Sequence, residues 1–260
     1  MALRIGWPAL ILALANAATG TAAYAETMTI QGSSTFANSI LTPNRAEIES
    51  LSGQSLKVVG IRSDVGLLRL LARQSEFAII STSLQRAIDS VRASEPGSLT
   101  YQDLIAVPIA KVPVAFAVNP ANRVRKANID MLRRILDGEV SNWRALGGAD
   151  KPVRVVYVEG GDGVTLTVAG DLFDARSFTP ADPIRVSLSA QVVKVVEQEP
   201  RALGVAPSGL VRDHKLPVLA TDRVIEQQLS MVTLGRPTSA QQAVIDAVKR
   251  VVSKWDVPSP

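Results

Sequence analysis

The chain has 260 residues, 47% of them hydrophobic, with 28 Lys and Arg against 24 Asp and Glu for a formal net charge of +4. It has no cysteine and one histidine, which removes a disulfide framework, most metal sites and most nucleophile–base pairs. The cations are scattered and aromatic residues make up only 4%, so the basic stripe with stacking residues typical of nucleic-acid binding is missing.

Residues 1–25 read as a cleaved export signal. Arg4 is their only charge, residues 5–18 are mostly apolar, and Ala23-Tyr24-Ala25 has the small-x-small pattern of a cleavage site. Pro8, Asn16 and Gly20 interrupt the apolar run, which is too short to span a membrane comfortably. Cleavage leaves 235 of the 260 residues, enough for one large domain or two modest lobes, and a charge of +3 because Arg4 departs. The expected location is the periplasm.

The first strand, 28–31, runs into Gly32-Ser33-Ser34-Thr35 and a helical start at Phe36. A strand that turns into a helix through small hydroxyl residues presents free N–H groups at the positive helix end, a geometry that suits an anion. The same residues equally make an ordinary N-cap, which needs no ligand. Further strands are predicted at 56–61, 77–81, 113–119, 153–158, 184–188, 203–206 and 217–220. Runs such as Val114-Ala-Phe-Ala-Val118 suit strands covered on both faces. Helices are predicted over 64–73, over 128–137 with an Asn128 cap and Gly138 as stop, over 163–173, and over 238–255. The last begins with the capping box Thr238-Ser-Ala-Gln241 and carries Val244, Val248, Val251 and Trp255 at helical spacing. Residues 191–198 satisfy both a helix stripe and a buried strand. Strand–helix alternation implies an α/β class with a parallel sheet, in which ligands collect beyond the carboxyl ends of the strands. No linker divides the chain, so a second lobe would be inserted into the first.

Three middle segments follow one another: Pro113-Val-Ala-Phe-Ala-Val-Asn-Pro120, Ile129-Asp-Met-Leu-Arg-Arg-Ile-Leu-Asp-Gly138, and Val140-Ser-Asn-Trp-Arg-Ala-Leu-Gly-Gly148. Their succession resembles the periplasmic phosphate-binding proteins of ABC importers, in the type II periplasmic solute-binding protein family. Gly32-Ser-Ser-Thr35 is similar to that family's first anion-binding turn and Ala78-Ile-Ile-Ser-Thr-Ser83 to its second. Glu159-Gly-Gly-Asp-Gly163 falls at its third, and Pro200-Arg-Ala-Leu-Gly-Val205 resembles its returning strand. The resemblance covers nearly the whole mature chain, and Asn142-Trp143 with Gly147-Gly148 is its most specific piece.

The resemblance implies two α/β lobes joined by crossing strands near 107–117 and 203–207, with the ligand clamped between them. After the signal peptide, 1–25, the first lobe would be 26–106 plus 208–260. The second would be 107–207, hinge strands included. The ligand-binding residues would be Ser33, Ser34, Thr35, Ser81 and Thr82, with Gly161, Asp162 and Gly163 from the third turn. No catalytic residue, metal or cofactor is expected. For Ser81 and Thr82 the plain alternative is a strand-end turn satisfied by its own hydroxyls.

The pattern departs from the family in the third turn, which ordinarily reads Gly-Ser-Gly-Thr after an arginine that pairs with phosphate. Here Gly161-Asp162-Gly163-Val164 stands in its place, and Tyr157 or Val158 occupies the arginine position. Thr82 sits nearest the acidic residue that often accepts the phosphate proton. Asp162 is then either a displaced proton acceptor or a helix N-cap. Arg62, Arg86 or Arg154 could replace the missing arginine.

The implied function is capture of a small inorganic oxyanion, phosphate by default, for an ABC permease, by a monomer that binds no nucleic acid. The alternative is a periplasmic sensory or accessory protein on the same fold with a diverged cleft and another inner-membrane partner. An enzyme is not expected, since one histidine and no cysteine build no nucleophile–base–orienter set.

Overall fold

The computed structural model describes residues 27–254 except 96, 98 and 161. The expected signal peptide, Gly161 and Trp255 therefore lie outside the described residues. Eight strands form one sheet: β1 (Met28–Ser33), β2 (Leu56–Ile61), β3 (Phe77–Ile80), β4 (Leu104–Val118), β5 (Arg154–Val158), β6 (Pro183–Val186), β7 (Ala202–Pro207) and β8 (Glu226–Leu234). Their order across the sheet is β2-β1-β3-β8-β4-β7-β5-β6. The sheet is mixed rather than purely parallel. β1 runs parallel to β2 and β3, and β5 to β6 and β7, whereas β8 is antiparallel to β3 and β4, and β4 is antiparallel to β7.

Nine α-helices cover this sheet among the described residues: α1 (Ser34–Phe36), α2 (Arg45–Ser52), α3 (Ser63–Leu71), α4 (Leu84–Ser94), α5 (Ile129–Leu136), α6 (Gly163–Leu172), α7 (Ser189–Gln198), α8 (Ser208–Asp213) and α9 (Ser239–Val252). A π-helical turn over Ala37–Leu41 continues α1, and a 3-10 turn over Trp143–Leu146 follows α5. The ambiguous 191–198 segment is helical. Val192, Val193 and Val196 of α7 are fully buried on one side of the sheet, where a helical stripe places them. α5 is capped by the Asn128 side chain, which accepts from Met131 N, and Gly138 beyond it takes φ +78°. α9 has the expected capping box between Thr238 and Gln241.

Long β4 divides the molecule. Its residues 104–113 pair with β8, and Val114–Val118 pair with β7. The apolar cores separate at the same place. Before Pro113, Leu104 and Ala106 pack under α3 and α4, while Val107, Ile109 and Val112 pack under α9. Beyond it, Val114, Phe116 and Val118 pack with α5 and α6, and Ala115 and Ala117 with α7 and α8. Each half thus has a sheet with helices on both faces and its own cores. Each buried Val, Leu or Ile contributes roughly 1.5–3 kcal/mol to holding its half together.

The expected return to the first half at Ser208 does not occur there. Val211 and Leu216 join the core under α7, and Leu219 and Ile225 join the core under α5. Val218 also bridges back to Ala117, so the 217–220 segment is a pair of isolated bridges rather than a strand. The chain re-enters the first half at Glu226, opposite Pro113. β7 lies within the second half, between β4 and β5, and is not itself the second crossing.

β1, β3 and α3 are drawn together by glycines. A Cβ on Gly32, at φ +138°, would fall 2.1 Å from the Ile79 carbonyl oxygen, and one on Gly66 would fall 2.4 Å from Gly32 Cα. Both obstacles are backbone, so neither clash can relax by a side-chain rotation. Gly32→Ala and Gly66→Ala should each cost more than about 4 kcal/mol. Urea denaturation is the measurement, and a loss below about 1 kcal/mol would contradict this packing.

Candidate functional site

β1, β2 and β3 run one way in the first half and β5 runs the opposite way in the second, and the turns that follow these four strands meet between the two halves. β1 delivers Ser33 and α1, β2 delivers Arg62 and the start of α3, β3 delivers Ser81 and Thr82, and β5 delivers Gly160, Asp162 and the start of α6 at Gly163. Ser33, Thr35, Ser63, Asp64, Ser81, Thr82, Asp162, Thr167 and Gln227 are all buried polar residues. Burying such groups is costly unless they find polar partners.

Ser81 stands at the centre. Its hydroxyl accepts from Ser33 Oγ at 2.8 Å, and its N–H donates to Ser63 Oγ at 3.2 Å. Its carbonyl accepts from Thr167 Oγ1 at 3.3 Å and Gln227 Nε2 at 3.2 Å. The third turn closes onto the same residue, since a Cβ on Gly163 would lie 1.9 Å from Ser81 Oγ. Only glycine at 163 lets α6 begin this close.

The cap reading of the first turn holds for Ser33, whose Oγ accepts from Phe36 N at 3.2 Å. Neither the Ser34 nor the Thr35 hydroxyl is engaged in a side-chain hydrogen bond among the described residues, which leaves both available to a ligand. The structure brings Ser33, Ser81 and Gly163 into contact, with Thr82 and Asp162 beside them. Gly161 lies outside the described residues.

Asp162 is the N-cap of α6, accepting from Val164 N at 3.0 Å. It is also buried. Desolvation pushes its carboxyl up to about 6, against the lowering pull of backbone bonds from Val164 and Thr165 and the nearby positive charge of Arg62, while Asp64 pushes it further up. Of its two expected roles the cap is the one observed, and burial makes its carboxyl easier to protonate than a free aspartate.

The three candidate arginines separate cleanly. Arg154 is held by Asp182 and Glu199 at the opposite end of β5; there Arg201 and Arg154 draw the Glu199 carboxyl down to about 2. Arg86 lies against α6 where Gly170 makes room for its guanidinium. Arg62 reaches the cleft. It is gripped by Asp64, Nε to Oδ1 at 3.1 Å and Nη2 to Oδ2 at 2.6 Å, and lies 3.0–3.3 Å from where a Cβ on Gly160 would be. Tyr157, at the expected arginine position, belongs to the core against Phe178 and accepts from Arg185 Nε through its hydroxyl.

Sequence reasoning missed Ser63, Asp64, Thr167 and Gln227. Ser63 and Asp64 carry a hydroxyl–carboxylate signal at a helix start after a strand, the same signal that marks Gly32–Thr35. Thr167 and Gln227 carry none, because only the tertiary fold sets them against Ser81. Two surface cavities of about 360 and 490 Å³ lie elsewhere, around Trp143 with Arg123 and Lys151, and around Asn142 with Asp150. They are open to solvent, and in the second Asp150 is already paired with Arg144 and Asn142. Among the described residues, no group of three or more His, Cys, Asp or Glu is arranged to hold a metal, and no helix is long and apolar enough to cross a membrane.

A family model described as the PBP superfamily domain matches residues 17–249. The phosphate-binding protein PstS of Bacillus subtilis (strain 168) is 27% identical over 215 residues, which make up 83% of this chain and 68% of that protein. A candidate phosphate ABC transporter substrate-binding protein from Clostridium perfringens, crystallised with phosphate bound, has a similar fold with a TM-score of 0.71. It is 20% identical, over 88% of this chain and 97% of that one. An ABC-type phosphate transport receptor from Vibrio cholerae reaches 0.65 at 18% identity, covering 90% and 100% of the two chains. These solved structures share the mixed α/β architecture. With the family model spanning most of its length, the chain belongs to the periplasmic binding protein (PBP) superfamily and has the type II fold.

Proposed function

We propose that this chain is an exported solute-binding protein that captures a small oxyanion, phosphate first, between its two halves and delivers it to an ABC permease. The observation that carries this reading is the convergence of strand-end hydroxyls from one half on a helix start from the other, around Ser81. Fixed, uncharged donors of this kind are what a desolvated oxyanion needs. The names of the relatives, PstS among them, support phosphate as the first ligand to test.

In this reading the lobes are 27–112 with 226–254, and 114–225. They close by bending at the crossings near Pro113 and Glu226. The Ser34 and Thr35 hydroxyls with the Ser81–Thr82 turn supply the first lobe's donors, and the Gly163 N–H supplies the second lobe's. Arg62 is the charge partner, positioned by Asp64, and takes the place of the arginine absent from the third turn. Asp162 tolerates an anion beside it only when one of the two carries a proton. The work is binding rather than catalysis, as family membership implies. His214 pairs with Glu197 on the α7–α8 side, apart from this cluster.

Titration calorimetry with phosphate is the direct test, and absence of any oxyanion binding would turn attention to the sensory or accessory role. Ser34→Ala or Thr35→Ala should each weaken phosphate binding 10- to 100-fold without unfolding the protein. That range follows from losing one hydrogen bond to a charged group, at ~1.5–3 kcal/mol.

Asp162→Asn reads two things at once. Asn caps as well as Asp, so α6 should persist. Higher phosphate affinity in the variant would assign the carboxylate to repulsion, lower affinity to accepting a ligand proton, and no change to capping alone. The second readout is stability. In the unfolded chain the carboxyl ionises near 3.8, whereas in the fold it holds its proton to about 6. Its contribution is therefore greatest below pH 4 and is lost as pH rises to about 6, leaving the folded protein roughly 3 kcal/mol worse off above that point. Asp162→Asn should remove this slope and be the more stable form at pH 8. Urea denaturation of both proteins at pH 4 and pH 8 checks it, and an equal difference at the two values would sink the assignment.

A further inference from the structure

The Asn142-Trp143 and Gly147-Gly148 stretch takes no part in the cleft. It lies where β5 and β7, which run parallel, both begin. Asn142 bridges to Pro152 just before β5, and Trp143 Nε1 donates to the Arg201 carbonyl just before β7 at 3.0 Å. The third turn follows the other end of β5. The five residues of that strand, about 16 Å of extended chain, separate the two places. At this far end the 143–148 turn and the 121–124 loop enclose the cavity of about 360 Å³. A Cβ on Gly148 would fall 2.8 Å from Val124 Cγ2 and 3.0 Å from the Trp143 carbonyl oxygen, so glycine is what lets the loop and the turn approach this closely.

Arg123 and Lys151 both line this cavity, and no acidic residue does. The arginines nearby in the chain are engaged. Arg125 donates to the Asn122 and Val124 carbonyls, Arg144 pairs with Asp150, Arg154 with Asp182 and Glu199, and Arg201 with Glu199. Asp150, the nearest carboxylate in sequence, is taken by Arg144 and by Asn142 Nδ2. Arg123 and Lys151, both exposed, make neither an ion pair nor a side-chain hydrogen bond among the described residues. A third donor is oriented by the fold. Asn122 Oδ1 accepts from Val124 N at 2.9 Å, and the amide nitrogen could not take that role, so Nδ2 remains as the donor end. Two like charges sharing one cavity repel each other, and an anion between them gains from both. Ala121, Ala149 and Pro200 add hydrocarbon to the lining, and the volume falls in the range of small-molecule sites, roughly 300–1,000 Å³.

We propose that this cavity is a second binding site, separate from the oxyanion cleft, for a small organic dianion such as a short dicarboxylate. Arg123, Lys151 and the Asn122 amide hold its charged ends, and its carbon chain lies against Ala121, Ala149 and Pro200. Because the site is open to solvent, its ion pairs are screened, and its affinity is modest and falls with salt. The site does not depend on what the cleft binds.

The test is an NMR titration of the protein at pH 7.5, following backbone amides and the Trp143 indole N–H. Succinate is the probe, succinamide its neutral analogue, and inorganic phosphate a dianion without a carbon chain. Succinate should move the Trp143 indole and the Gly147 and Gly148 amides while leaving Ser81 and Gly163 in place. Succinamide should bind at least about tenfold more weakly, and phosphate at least about threefold more weakly at these same amides. Arg123→Gln and Lys151→Gln should each weaken succinate binding about threefold, the scale of one exposed ion pair, and about tenfold together. Both side chains are exposed, so the variants should leave the fold and any phosphate binding in the cleft unchanged. No shift at about 10 mM succinate, where modest ion-pair affinity should register, would overturn the proposal, as would shifts confined to the Ser81 turn. Succinamide or phosphate matching succinate at the Gly147 and Gly148 amides, or a double variant that binds succinate as tightly as wild type, would overturn it too.

Discussion

The backbone carbonyl of Ser81 receives one hydrogen bond from α6 in the second half and another from β8 in the first. Its side chain meanwhile touches Ser33 and the start of α6. A single buried peptide thus fixes the positions of three turns relative to one another. This arrangement has steric requirements that reach well beyond Ser81. α6 must start with glycine, β1 must pass β3 with a glycine at positive φ, and α3 must lie on β1 through Gly66. Fixed donors work because they are already oriented before a charge arrives, so an anion meets little reorganisation. The glycines that look like flexible points in the sequence are instead what makes this region rigid.

The charge arrangement follows from the same geometry. In the proposed reading, Arg62 puts the positive group of the site in the first half. Buried Asp64 holds it with a two-point grip, while the Arg62 side chain keeps 34% of its surface exposed. The guanidinium then lies over Gly160. That contact leaves little room for a side chain at Gly160 on the opposite turn.

Much of this was readable from local chemistry. The strand-to-helix turn at Gly32–Thr35, the Asn128 and Thr238 caps, and the Asp162 cap depend on residues within a few positions of each other, and each stands where its pattern placed it. β8 was hidden for an identifiable reason. Gln227, Ser230 and Thr233 are polar, yet all three are buried within the strand, so its sequence shows neither a continuous apolar run nor a polar outer face. α2 went unseen because it buries only Ile48, although α4, with Ala87, Ile88 and Val91 inward, had a legible stripe. The late return of the chain could not be read locally at all. Val211, Leu216, Leu219 and Ile225 show that they are apolar, but not which of two neighbouring cores receives them. Arg62 fell between these cases, since its type was visible and its direction was not.

The sheet ends at β2 and β6, and both margins bear on how the protein behaves in a crowded compartment. An unpaired strand margin is a template on which a second copy can add, the first step toward aggregation. β6 is only four residues long, begins with Pro183, which has no N–H to offer, and exposes Arg185. β2 exposes Lys57. A protein without cysteines has no covalent staple to restrain its strands while it folds. The short, proline-headed margin on one side and the charged one on the other discourage neighbouring copies from joining edge to edge, and this protection is in place whether or not the cleft holds a ligand.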